Sequence, residues 1–146
     1  MILIDANILL YAYDTASQEH QSARVWLEKT LSTNDPVGLA WVTLLAFLRI
    51  STNARARKDP FTIEEAIAIV SQWLDRPMVS IVHPSERHWE ILKKMLTEGQ
   101  APARMVTDAH LAALAIDHGA TLCTTDRDFT RFPGLRSSNP LKAPTR

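Results

Sequence analysis

Short apolar runs alternate along the chain with longer amphipathic segments. The runs at Ile2–Ile4, Val37–Leu39, Val79–Val82 and Thr121–Thr124 predict buried strands. Strands that alternate with helices are typical of a parallel sheet covered on both faces. We therefore predict an α/β fold, a three-layer α/β/α sandwich with a mainly parallel central sheet of four to five strands.

The segments between these runs predict helices. Thr62-Ile-Glu-Glu resembles a capping box, which predicts a helix that begins after Thr62. Gly99 and Gly119 are typical of positions that follow a helix end. The apolar stretch 41–50 fits a helix or a strand, and its Leu and Ala content favours the helix. The predicted helices cover approximately residues 17–31, 41–50, 62–74, 85–98 (capped by Ser85) and 108–118.

The length of 146 residues fits one domain, with an apolar fraction of 46% that is ordinary for a globular protein. We assign residues 1–140 to the domain. The chain is rich in Pro and Ser from Pro133 onward, and we predict that its last residues, 141–146, are poorly ordered. No apolar run is long enough for a membrane helix. The first residues lack a basic region, so we expect no signal peptide. The single cysteine, Cys123, excludes an internal disulfide, and a cytoplasmic location is the simplest interpretation.

Sixteen basic and sixteen acidic residues give a net charge near zero. Many nucleic-acid-binding proteins carry a clear positive excess, so the overall charge does not support such a partner. Any surface that binds phosphate must therefore be local.

Carboxylates follow predicted strands at two places and begin a predicted helix at a third. Asp5 follows the first strand directly, Asp126 and Asp128 follow the strand that ends at Thr124, and Asp108 begins the preceding helix. Ligands of open parallel sheets bind beyond the carboxyl ends of the strands. We therefore expect these acids to form one cluster.

Clustered carboxylates repel one another unless a cation neutralises them. Mg²⁺ suits such a cluster because it prefers oxygen ligands and keeps several waters, which permits hydrolysis of a phosphodiester. The histidines show no spacing typical of a zinc site; they are His20, His83, His88, His110 and His118.

Each acid also has a purely structural interpretation. Asp5 could end a strand, Asp108 could be a helix N-cap, and Asp126 and Asp128 could be turn residues. The combination of the four, more than any one of them, indicates a functional site.

Taken together, these residues resemble the PIN domain, in particular the VapC type of toxin from bacterial toxin–antitoxin pairs. The resemblance covers nearly the whole chain. It rests on MILIDANILLYA at the start, LLAFLRISTN in the middle and VTDAHLAALAIDHGATLCTTDRDFTRFPGL near the end. Such proteins are typically Mg²⁺- or Mn²⁺-dependent endoribonucleases that cut tRNA or rRNA, form homodimers, and are silenced by a VapB-type antitoxin.

The resemblance assigns a role to each polar residue of the cluster. Asp5 and Asp108 are implied as the main metal ligands, and Asp126 completes the acidic pocket as the third catalytic acid and a further ligand. Asp128 matches a position that is acidic or amide-bearing in many relatives and is implied as a fourth ligand. The resemblance also implies that Asn7 and Thr124 line the pocket.

One position departs from the family pattern. Many PIN domains carry a Glu three residues before the middle Arg, and here that position is Ala46, before Arg49. A side chain without oxygen cannot bind a metal, so we expect one tightly held ion, with a second recruited only by substrate phosphate.

Four cations near the middle helix form a local basic strip: Arg49, Arg55, Arg57 and Lys58. We expect Arg49 to be partly buried and to meet a pocket acid, the substrate or an antitoxin side chain. The other three are candidates for contacts with RNA phosphates, or ordinary charges of a solvated loop.

The sequence is also compatible with two rival functions. The first is a PIN-like module that binds RNA or a protein without cutting, which Ala46 favours. The second is a small-molecule phosphatase, which Asn7 disfavours because those enzymes commonly need Asp at that place after the first strand.

Overall fold

Within residues 1–142, which the computed structural model describes, five strands form one sheet. The order is β3-β2-β1-β4-β5, and each neighbouring pair is parallel. The bounds are Ile2–Ile4 for β1, Val37–Ala40 for β2, Val79–Val82 for β3, Thr121–Cys123 for β4 and Ser137–Ser138 for β5. The predicted parallel α/β fold is therefore confirmed.

Six α-helices in this described part connect and cover the strands. Their bounds are Ala6–Ala12 for α1, His20–Thr30 for α2, Trp41–Ser51 for α3, Ile63–Leu74 for α4, His88–Glu98 for α5 and Val106–Asp117 for α6. The capping box predicted at the start of α4 is present, since the side chains of Thr62 and Glu65 each accept from the other's backbone amide.

The sheet separates two hydrophobic cores, because successive side chains of a strand point to opposite faces. On one face, Ile4 of β1 packs with α1, α2, α3 and α4 in a core that includes Phe47 and Trp73. On the other face, Leu3 packs with α5 and α6 in a core that includes Met95 and Leu114. The three-layer arrangement follows from this alternation.

The sequence pattern missed two elements. Helix α1 is only seven residues long and buries Ile8, Leu9 and Ala12, so its apolar content alone does not separate it from an extension of the strand. Strand β5 consists of two exposed serines, and its partner residues in β4 are Leu122 and Cys123. Nothing in a Ser-Ser pair predicts a strand.

Helix α6 begins at Val106, two residues before the predicted start, so Asp108 lies inside the first turn. The interpretation of Asp108 as an N-cap is therefore wrong. Ser85 is not the N-cap of α5 either, since Arg87 holds that position. The Ser85 hydroxyl instead donates to Asp117, the last residue of α6, at 2.8 Å.

Residues 143–146 lie outside the described residues, and the predicted disorder of the tail at 141–146 stays a prediction. In the part of the chain that is described, each helix is too short or too polar to cross a membrane.

Candidate active site at the carboxyl edge of the sheet

Asp5 lies at the junction of β1 and α1. Its backbone N–H donates to the carbonyl of Cys123 at 2.9 Å and so continues the pairing with β4. The Asp5 side chain caps α1, because its Oδ1 accepts from the N–H of Ala6 at 2.8 Å. The fold therefore fixes both the backbone and one carboxylate oxygen of this residue.

Thr124 connects three parts of the site through one hydroxyl group. The hydroxyl donates to Oδ2 of Asp5 at 2.7 Å and accepts from the N–H of Asp126 at 3.0 Å. It also accepts from Nδ2 of Asn7 at 3.4 Å. Thr124 is only 4% exposed, so these bonds are protected from exchange with water. The predicted association of the first strand with the acidic loop after the fourth is thus present in the structure.

Asp126 and Asp128 bracket the start of a 3₁₀ turn at Arg127–Arg131. Oδ1 of Asp126 accepts from the N–H of Asp128 at 2.9 Å, so Asp126 caps this turn. Oδ2 of Asp128 lies 3.5 Å from Nη1 of Arg104. Both side chains of that pair are well exposed, and such pairs contribute at most about 1 kcal/mol to folding stability.

Asp108 and Asp5 line the same cavity of about 220 Å³. Helix α3 supplies another wall, on which Thr43, Ala46 and Arg49 follow one another at intervals of three residues. That spacing places them on one helix face. Ala46 therefore occupies a cavity position beside the acids, and it contributes no oxygen there.

Burial and mutual repulsion raise the pKa values of two carboxyl groups. The pKa of Asp5 is raised, mainly by burial of its carboxyl group. The hydrogen bonds from Thr124 and Ala6 lower this pKa and the charge of Asp126 raises it, but burial has the largest effect. The pKa of Asp108 is raised to about 6. Burial is the largest cause, the charges of Asp5, Asp126 and Asp128 add to it, and the charge of Arg104 opposes it. Asp108 is therefore close enough to the other three acids for their charges to act on it.

The donor set fits a hard cation. Among residues 1–142, Oδ1 of Asn7 and Oγ1 of Thr43 are buried oxygens without a hydrogen-bond partner. Thr43 lines the cavity, and Asn7 is bonded to Thr124 through its Nδ2. Carboxylate, amide and hydroxyl oxygens are the ligands that Mg²⁺ prefers. Within that same range, no three His, Cys, Asp or Glu side chains already stand in a metal-holding arrangement. A cation would therefore have to draw the carboxylates inward.

The predicted basic residues in and after α3 differ in their burial and in their contacts. Arg49 is exposed and lies outside every ion pair found among the described residues, so the prediction that it is partly buried is wrong. Arg57 is half-buried: its Nη2 donates to the carbonyl of Tyr13 at 2.8 Å, and its Cζ lies 4.4 Å from the ring centroid of Phe61. Arg57 thus holds the loop after α3 in place.

Arg55 and Lys58 are exposed on the loop after α3, where the sequence placed them. Their contact with RNA stays a prediction, as does that of Arg57. Sequence reasoning missed Thr43 and Arg104 as neighbours of the acids. The signal for Thr43 was its spacing of three residues from Ala46.

Comparison with known proteins agrees with this fold. The family model described as "PIN domain" matches residues 2–135. Ribonuclease VapC37 of Mycobacterium tuberculosis is 46% identical over 140 residues, which cover 96% of this chain and 97% of that protein. Ribonuclease VapC33 of the same species is 36% identical over 142 residues, which cover 97% and 99% of the two chains.

A solved structure shows the same architecture. The chain is similar to one in the crystal structure of VapBC2 from Rickettsia felis bound to a DNA fragment from their promoter. The TM-score is 0.68 at 22% identity, with 95% of this chain and 98% of that chain covered. A parallel α/β sandwich with acids at the carboxyl edge of its sheet is the class that fold and site define. The chain belongs to the PIN domain family, and within it to the VapC type.

Proposed function

We propose that this protein is a Mg²⁺-dependent endoribonuclease that hydrolyses phosphodiester bonds of RNA, with tRNA or rRNA as the substrate class, and acts as the toxin of a toxin–antitoxin pair. Mn²⁺ would substitute for Mg²⁺ as the ion. One observation carries the proposal: the hydroxyl of Thr124 bonds both to the carboxylate of Asp5 and to the backbone N–H of Asp126, and Asp5 lines the same cavity as Asp108. The names of relatives that are 46% and 36% identical support the activity.

The proposal gives each acid a role. Asp5, Asp108 and Asp126 would hold the cation as the catalytic acids, and Asp128 would be an outer acid of the same site. When bound, Mg²⁺ would neutralise this charge, stabilise negative charge on a phosphoryl oxygen and lower the pKa of water. Thr124 would keep the carboxylate of Asp5 in position, and Asn7 would add the oxygen that now lacks a partner.

Arg49 would contact the phosphate of the substrate. It lines the cavity that holds Asp5 and Asp108, yet its guanidinium pairs with neither of them. A cation at this place offsets the repulsion between an acidic pocket and an RNA phosphate. Arg55, Arg57 and Lys58 would extend this contact along the backbone of the RNA.

The partners we propose are a VapB-type antitoxin and a second copy of the chain. Trp41 and Leu45 are exposed one turn apart on α3, and Ile63 and Ile67 are exposed one turn apart on α4. Apolar stripes of this kind are typical of surfaces that another chain covers. A cytoplasmic location, where RNA and antitoxin are both made, is part of the proposal.

The test is RNA cleavage by the purified protein with Mg²⁺, with Mn²⁺ and with EDTA. We expect cleavage with either ion, none with EDTA, and none from Asp5→Asn or Asp108→Asn. The matched control is Asp75→Asn, which changes an exposed acid at the end of α4, ahead of the amino end of β3. Cleavage that persists in EDTA and in both site variants would refute the mechanism.

A second candidate is a PIN-like module that binds RNA or protein without cutting. Ala46 favours it, because the cavity has one carboxylate fewer than the usual family pattern. Normal binding of Mn²⁺ without cleavage of any tested RNA would support this candidate and contradict the nuclease.

A further inference from the structure

Thr43 carries a buried hydroxyl group that the fold does not use. The residue is 2% exposed, and its Oγ1 has no hydrogen-bond partner among residues 1–142. An unpaired hydroxyl in the interior destabilises a protein, whereas a valine of the same shape would fill this place without a polar atom. Packing alone therefore does not explain a threonine here.

The position of Thr43 supplies an explanation. Thr43 is the third residue of α3, and it lines the same cavity as Asp5 and Asp108. It precedes Ala46 by three residues, so the two side chains are neighbours on one helix face. The unused hydroxyl thus lies next to the place where the acid expected of α3 is absent.

We propose that Thr43 is a positioning residue of the metal site, whose hydroxyl supplies the oxygen that α3 would otherwise offer from position 46. The inference rests on the proposed function, because it requires a cation among the acids. A Mg²⁺ ion bound to a protein usually keeps several waters. The Thr43 hydroxyl can form a hydrogen bond with one of these waters, either as donor or as acceptor. Its effect is then on the affinity for the ion, and not on the stability of the fold.

Ser51 provides an internal control on the same helix. Its hydroxyl is also buried and unpaired within the described part of the chain, but Ser51 does not line the cavity. The substitutions Thr43→Val and Ser51→Ala therefore each remove a buried, unpaired hydroxyl, in one case from the cavity wall and in the other from outside the cavity.

The experiment is a Mn²⁺ titration of metal-free protein, followed by electron paramagnetic resonance, with urea unfolding in EDTA for each variant. Outer-sphere partners commonly change metal affinity 10–100-fold. We expect Thr43→Val to weaken Mn²⁺ binding about tenfold without lowering the urea midpoint. Thr43→Ser and Ser51→Ala should bind within about twofold of wild type. If Thr43→Val does not fold, Thr43→Ala removes the same hydroxyl.

Wild-type affinity in Thr43→Val, together with lost binding in Asp5→Asn, would refute the role of Thr43 and leave the proposed site intact. Equal losses in Thr43→Val and Thr43→Ser, with lower urea midpoints, would also refute it, since they indicate a role in packing. Unchanged binding in Asp5→Asn would overturn the metal site itself.

Discussion

The hydroxyl of Thr124 donates a 2.7 Å hydrogen bond to Oδ2 of Asp5, although the two residues are 119 positions apart in the chain. The same hydroxyl accepts from the N–H of Asp126. One side chain therefore sets the orientation of an acid on β1 and the path of the acidic loop after β4. The geometry of the candidate site depends on this residue as much as on the carboxylates.

Removal of this hydroxyl should disable the site without removing an acid. In Thr124→Val, Oδ2 of Asp5 loses its partner and the N–H of Asp126 is left unsatisfied, which costs about 1–3 kcal/mol of folding stability. We expect Mn²⁺ affinity to fall about 10–100-fold. Calorimetric titration measures the affinity, and urea unfolding the stability. Thr124→Ser keeps the hydroxyl and should retain most of both; similar losses in the two variants would contradict this role.

Asp108 should make the metal-free protein less stable as the pH rises. The pKa of Asp108 is about 6 in the folded protein, against a usual 3.8, so the folded state holds this proton more tightly than the unfolded chain. Stability is then lost between these two values as the pH rises. Asp108→Asn cannot ionise and should be more stable than wild type by about 1 kcal/mol at about pH 7.5, allowing for solvent screening.

Urea unfolding in EDTA checks this prediction. The difference between Asp108→Asn and wild type should disappear near pH 4, where Asp108 is protonated in the folded protein. Asp75→Asn, at an exposed acid far from the cluster, should show no such trend. A variant less stable than wild type at neutral pH would contradict the prediction.

Ala46→Glu should restore an acid to the cavity. The new carboxylate adds an oxygen ligand beside Asp5 and Asp108, so we expect tighter Mn²⁺ binding and a stoichiometry that rises from one ion toward two. Without metal, the added charge should lower the urea midpoint, because it increases the repulsion among the acids. Electron paramagnetic resonance gives the stoichiometry. Ala46→Gln has a similar size without the charge, and an equal gain from Gln would exclude a carboxylate effect.

Arg49 should contribute to RNA affinity through a phosphate contact. Affinity for RNA falls as salt rises, and loss of one such contact with single-stranded RNA makes the slope of log affinity against log salt less negative by about 0.7. Fluorescence anisotropy with Arg49→Ala in an Asp5→Asn background, in EDTA, measures this without cleavage. Arg24→Ala is the control, because Arg24 pairs with Glu28 on α2. An unchanged slope for Arg49→Ala would exclude the contact.

Asp117 should stabilise the α5–α6 pair without affecting the metal site. It accepts from the N–H and hydroxyl of Ser85 and pairs with Arg87 at 3.2 Å. Burial opposes its ionisation, but these partners and the charge of His118 outweigh burial and hold the pKa of Asp117 below its usual range. Asp117→Ala should cost about 1–2 kcal/mol, because the bonds from Ser85 and Arg87 are lost.

A lowered pKa means that the contribution of Asp117 is present above the unfolded value near 3.8 and is lost as the pH falls. The difference between wild type and Asp117→Ala in urea unfolding should therefore shrink in acid. Mn²⁺ affinity should be unchanged, because Asp108 lies at the other end of α6. A constant difference at all pH values would show that the charge of Asp117 plays no part.

The sequence by itself determined the alternation of strands and helices, because each strand is an apolar run and most helices carry an amphipathic period or a cap. It also determined that Asp5 follows β1 and that Asp126 follows β4. In a parallel sheet these positions must share one edge. The sequence did not predict helix α1 or strand β5. Seven residues are too few to show a clear helical period, and two serines show no strand pattern.

Only the tertiary structure decided which side chains meet at that edge. The exposure of Arg49, the bonds of Thr124 and the unpaired hydroxyl of Thr43 depend on how α3 and β4 are placed around β1. Hydrogen bonds between distant residues need distances and angles that no local pattern encodes. The sequence thus named the acids, and packing of the helices on the sheet determined how they are oriented and what surrounds them.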